Sequence, residues 1–114
     1  MQLRHVLISA AILVLLPSPP SMATEKLTAV ARKLSEPQRK QLYRDGVAAE
    51  HRAMGNARKE FPTDARRMAK RETELIVEYQ KKVWSPKGIT ENDFMWIMQE
   101  GIDKNWPCPP TPTI

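Results

Sequence analysis

Proline sets the limits on regular structure in this chain. Beyond residue 23, prolines fall at 37, 62 and 86 and then at 107, 109, 110 and 112, and the first three intervals between them are of helix length and rich in Ala, Glu, Lys, Arg and Gln. Inside a helix, proline removes a backbone donor and clashes with the preceding turn, at a cost of about 3 kcal/mol. Each of these positions therefore marks a helix start or a break. The predicted fold class is all-α: an antiparallel helical hairpin, a third C-terminal helix and an extended Pro-rich tail over residues 107–114. No run shows the alternation of a strand.

The first predicted helix begins at Ser35, whose hydroxyl caps a free backbone N–H while Gln38 reaches back in a capping box. Pro37 sits in the first turn, where its missing donor costs little. The helix should run to about Phe61 with an apolar stripe of Tyr43, Val47, Met54, Ala57 and Phe61, weakened by Gly46 and Gly55. Pro62 and Thr63 make a tight break, and Thr63 is the expected cap of a second helix with a stripe of Met68, Ala69, Leu75, Ile76, Tyr79 and Val83. So short a connection implies antiparallel neighbours. Residues 85–88, SPKG, end that helix. Thr90 then caps a third helix, with Asp93 as its N3 partner and Ile89 and Phe94 as a hydrophobic staple. Its expected inner face is Phe94, Ile97, Met98, Ile102 and Trp106. Residues 24–34 form a frayed helical arm through Leu27, Val30, Ala31 and Leu34, so that residues 35–106 make up the three-helix domain.

The N-terminus has a different character. Arg4 and His5 precede an almost wholly apolar run over residues 6–16, and PSPPSMA follows, closing on the small-x-small pattern of Ser21 and Ala23. This is the layout of a secretory signal peptide, with cleavage expected after Ala23. Eleven residues are too few to cross a bilayer, which takes roughly 20, so the mature form is expected to have no transmembrane segment and to be periplasmic or secreted. In the 91 residues after Ala23, Leu, Ile, Val and Phe number only 15. A folded domain with a thin core is expected, small enough to exclude a multidomain enzyme.

Chemistry has little to work with. After Ala23 there is one histidine, His51, and one cysteine, Cys108, on different elements, whereas nucleophilic catalysis needs a nucleophile beside an oriented base. No EXXH, CXXC or paired-histidine spacing occurs, so no cofactor or metal is expected. A metal carrier using Glu50, Glu72 and His51 is the remaining alternative, because Glu50 and Glu72 each interrupt an apolar stripe and the hairpin would bring them within about a turn of one another. The plainer arrangement has each paired with a base such as Arg71 or Arg52. Cys108, in an oxidising compartment, would either stay a free thiol or form an intermolecular disulfide in a homodimer.

Charge is the strongest asymmetry. Residues 24–71 hold 13 basic and 6 acidic side chains, and residues 72–114 hold 4 and 7. Arg66, Arg67, Lys70 and Arg71 cluster at the start of the second predicted helix, where the macrodipole disfavours positive charge. They are candidates for an anionic envelope surface, an acidic protein, or the acidic third helix of this chain or its neighbour. Nucleic acid is not expected, since no aromatic residues interleave with the bases. On the third helix, Met95 and Trp96 extend the apolar surface beyond what a hairpin can cover, and are the candidate contacts to a protein partner.

The segment LSEPQRKQL, residues 34–42, resembles the LTxxQ motif of small envelope-stress proteins, the Spy and CpxP group of periplasmic chaperones and adaptors. Ser35 stands for the threonine and Gln38 falls at the motif glutamine. A second copy has ITEND, residues 89–93, as its only candidate, with Asp93 in place of glutamine. The resemblance implies an exported, all-helical, basic and often dimeric protein with chaperone- or adaptor-like activity. Together these features lead to an exported, non-enzymatic helical binding module, with attachment to anionic envelope surfaces as the alternative.

Overall fold

The computed structural model describes residues 26–110. The expected signal peptide, its cleavage point at Ala23, residues 24 and 25 of the arm and residues 111–114 of the tail lie outside them. The all-α expectation holds: the described residues form helices and no strand. In order they are α1 (Ala29–Arg32), α2 (Glu36–Glu60), α3 (Ala65–Trp84), a 3₁₀ turn (Ser85–Lys87) and α4 (Glu91–Asp103).

Each start has a chemical cause. Ser35 accepts from the Gln38 backbone at 3.3 Å and Gln38 Oε1 accepts from the Ser35 N–H at 2.8 Å, completing the capping box with Pro37 in the first turn. Thr90 and Asp93 form the same reciprocal pair at the head of α4. The start of α3 differs from expectation. Its cap is Asp64, which accepts from the Arg67 N–H at 3.0 Å, and Thr63 is spent in the bend. A carboxylate is at least as good an acceptor there as a hydroxyl, and its charge also opposes the positive helix end.

The stripe on α2 is also different. Its buried line is Leu42, Gly46, Ala49, Ala53 and Ala57, with Tyr43 alongside, while Val47, Met54 and Phe61 are only half-buried. Small side chains let α3 approach closely, so Ala53, Ala57 and Leu75 form one cluster, with Met68, Ile76 and Tyr79 packed against it. Ala69, expected inside, is exposed. Along this pair Arg71 reaches Glu60, Asn56 donates to the Tyr79 hydroxyl at 2.8 Å, and Gln80 donates to the Gly46 carbonyl at 3.2 Å.

The larger core joins α2 to α4. Ala31, Leu42, Ile89, Phe94 and Ile97 are buried together, with Leu27, Leu34, Val83, Trp84 and Met98 against them. Two glycines set this crossing. A β-carbon at Gly46 would lie 2.7 Å from the Phe94 ring and 2.8 Å from Met98 Sδ, and one at Gly101 would overlap the Tyr43 ring. Each helix therefore receives an aromatic side chain of the other at a glycine. The inner line of α4 is Phe94, Ile97 and Gly101, which leaves Ile102 turned out and 62% exposed, against expectation.

Trp106 is buried as expected, but not as part of the helix. Asn105 takes a left-handed conformation with φ 55°, the Trp106 N–H donates to the Gly101 carbonyl at 2.9 Å, and the Asn105 N–H donates to Ile102 at 3.2 Å. That is a Schellman stop with asparagine where glycine is usual. It folds the Trp106 ring back edge-on to Tyr43, with centroids 6.0 Å apart, and the ammonium groups of Lys40 and Lys104 lie 5.9 and 5.7 Å from the Trp106 centroid.

Candidate functional site

The arm creates an apolar recess beside α4. Thr28 caps α1, accepting from the Ala31 N–H at 3.3 Å. This single turn points Ala31 inward and holds Leu27 against the core. Between the arm and α4 lies a groove of about 560 Å³, whose apolar lining includes Leu27, Ala31, Trp96 and Ile97. That volume is within the roughly 300–1,000 Å³ of sites that hold a small ligand or a few side chains of a peptide.

Its rim is charged and internally paired. Arg39, near the start of α2, grips Glu100 of α4 through Nε at 2.8 Å and Nη2 at 3.1 Å. Lys104 adds a bond to the same carboxylate at 2.7 Å. The Arg39 hydrogen bonds outweigh partial burial and, with Lys104, hold the Glu100 carboxyl below its ordinary range; the same pairing raises Arg39. Both side chains are about one-quarter exposed, so screening by water discounts the stability this pair contributes. Arg39 also donates to the Leu34 carbonyl at the arm's end at 2.8 Å, whereas the bond from Arg32 to the Leu27 carbonyl is internal to the arm.

Behind the groove, Asp93 is fully buried. Its carboxylate accepts from the Thr28 N–H at 3.0 Å, the Thr28 hydroxyl at 2.6 Å and the Thr90 N–H at 3.0 Å. Burial alone pushes this carboxyl up, but the bonds from Thr28 and Thr90 together win and its pKa is lowered. The sequence identified Asp93 as a cap and missed its second role across 65 residues. The available signal was the residue itself: a carboxylate at N3 has more acceptor positions than its own helix start can use.

The candidate residues divide between two ends of the molecule. Trp96 lines the groove and is half-buried, and Met95 beside it is 40% exposed. Arg66, Arg67, Lys70 and Arg71 lie at the head of α3, next to Glu60 at the far end of α2 from Arg39. The 21 residues from Arg39 to Glu60 place the two ends about 31 Å apart along the helix. Arg67 pairs with Asp64 at 3.5 Å, and Arg71 pairs with Glu60 at 3.1 Å and Glu74 at 3.4 Å, while Arg66 and Lys70 have no acidic partner among the described residues.

Glu50 and Glu72 are not brought level. The bonded pairs run from Gly46 to Gln80 and from Glu60 to Arg71. On that register Glu50 lies opposite residues near 78, about 9 Å along the axis beyond Glu72. Among the described residues no three His, Cys, Asp or Glu side chains are grouped to hold a metal. Cys108 is exposed and lies near Tyr43, whose phenol is raised first by burial and then by Cys108 and Glu50. His51 is eight residues further along α2, about 12 Å from Tyr43.

None of the described helices is long and apolar enough to cross a membrane. Comparison with protein-family models, with curated proteins and with solved structures gave no match to this chain.

Proposed function

We propose that the protein is an exported, non-enzymatic helical binding module that takes apolar segments of unfolded or partner polypeptides into the groove between the arm and α4. The observation that carries this reading is a recess of about 560 Å³ between the arm and α4 whose apolar lining includes Leu27, Ala31, Trp96 and Ile97. A polypeptide is the occupant because an apolar lining beside hydrogen-bonding side chains such as Gln99 and Arg32 suits the apolar side chains and backbone amides of a peptide segment. The antiparallel α2–α3 hairpin is the support, and the Pro-rich residues 107–110 follow α4 outside any helix. The LSEPQ resemblance to envelope chaperones and adaptors, together with the signal-like N-terminus, supports a place in the cell envelope. Signal-peptide cleavage after Ala23 belongs to this proposal.

The test is suppression of aggregation of an unfolding client protein. Trp96→Ser combined with Met95→Ser should reduce suppression several-fold and leave far-UV helicity intact. Undiminished suppression by the double variant would remove the groove from the function.

A second reading, attachment to anionic envelope surfaces, is supported by the two exposed cations without acidic partners, Arg66 and Lys70. It draws on half of the basic cluster, because Arg67 and Arg71 are engaged with acids.

A further inference from the structure

The arm is bonded directly to one carboxylate of α4 and, through Arg39 of α2, indirectly to a second. Asp93 and Glu100 are seven residues apart on α4, a spacing that sets them on the same face, two turns from each other. Asp93 holds the start of the arm through both the backbone and the hydroxyl of Thr28. Glu100 holds Arg39, and Arg39 in turn holds the Leu34 carbonyl at the arm's end. Between these ties, α1 is only four residues long, Val30 is 48% exposed, and Ala31 is the arm's one fully inward side chain. A four-residue helix has no stability of its own, so the arm stays in place through its apolar contacts and these two ties.

The geometry points to an acid-released strap: protonation of Asp93 frees Thr28 from α4, protonation of Glu100 loosens Arg39 at the arm's other end, and as residues 27–34 move away the groove widens onto the apolar surface of Leu42, Ile89, Phe94 and Ile97, where a client polypeptide takes the arm's place. Protonated Asp93 keeps acceptor oxygens but loses its charge, and its new O–H must find an acceptor where three donors already converge. Around Asp93 the bonding groups are Thr28 of the arm and Thr90 of the preceding turn; the charged side chains on the adjoining stretches, Lys26, Lys87 and Glu91, are all exposed. Around Glu100 they are Arg39 of α2 and Lys104 of α4, with Glu36 acting on Arg39.

The direction follows from the sign of both shifts. Each carboxyl is held below its ordinary value. The ties are therefore complete above the ordinary carboxylate range, near pH 4, and are lost as pH falls through the lowered values. This inference rests on the binding-module reading for its purpose but not for its test, which needs no client.

The full chain is titrated from pH 7 to pH 2 while three signals are followed: far-UV helicity, fluorescence of an apolar dye, and the NMR amide signals of Thr28 and Thr90. Dye uptake and movement of the Thr28 amide should precede loss of helicity. Asp93→Asn should show that uptake already at pH 7. Should that variant not fold, Thr28→Val removes the arm's hydroxyl tie and leaves the Thr90–Asp93 box in place; it should raise the midpoint of dye uptake toward neutral pH. If dye uptake coincides with loss of helicity in the wild type, or if a folded variant keeps the wild-type midpoint, the strap is overturned. Dye uptake as expected without client protection would preserve the strap and remove the chaperone-like reading.

Discussion

A glycine can be a weakness or a requirement, and this chain has both in its long helices. At Gly55 a β-carbon would enter open space, whereas at Gly101 it would overlap the Tyr43 ring. Gly55→Ala should therefore stabilise the protein by up to about 1 kcal/mol, the ordinary helix-interior penalty of glycine. Gly101→Ala should destabilise it by about 1–3 kcal/mol, because a ring held between Trp106 and α4 has to move. Denaturant unfolding of the two variants checks both signs. Sequence reasoning scored Gly46 and Gly55 alike, because it could apply a helix propensity but not foresee which side chain a crossing helix would place against each. Asp93 shows the same limit. Its cap is written within four residues, while its bond to Thr28 depends on how a separate segment returns to it.

At the scale of the elements, the helix starts at Ser35 and Thr90 and the stop at residues 85–88 were legible, since caps, prolines and glycines act over a few neighbouring residues. The buried faces were less so. The expected stripe on α2 favoured large apolar residues, but the line that meets α3 and α4 is Leu42, Gly46, Ala49, Ala53 and Ala57, because closeness of backbones rather than side-chain bulk makes that contact. The two capping boxes also differ in consequence. Ser35 is exposed and serves only its own helix, but the Thr90 box shares Asp93 with the arm. Ser35→Ala should cost about 1 kcal/mol, and Thr90→Ala should cost more, about 2 kcal/mol, because it also loosens the carboxylate that holds Thr28. Equal losses in thermal or denaturant unfolding would show that the two boxes act alike.

Across the whole molecule, the charge asymmetry read from the sequence becomes a separation of about 31 Å between a basic end and a groove. Two independent contacts are then available on one particle. Binding to anionic vesicles should depend on Arg66 and Lys70 and weaken steeply between low and high salt, since exposed charges are screened beyond about 8 Å at physiological ionic strength. Client protection through the groove should survive the same salt. Retention on vesicles at high salt, or its persistence in an Arg66→Ser, Lys70→Ser variant, would end the electrostatic reading of that end.

The alanine seam between α2 and α3 has a consequence for how the protein accepts mutation. In an ordinary core most substitutions shorten a large side chain and leave a hole, and the damage depends on how well neighbours collapse into it. At Ala53 and Ala57, both with no exposed surface, nearly every replacement adds atoms instead. That half of the molecule will be injured chiefly by wedging, with the helices forced apart, while the half around Phe94 and Leu42 will be injured by erosion.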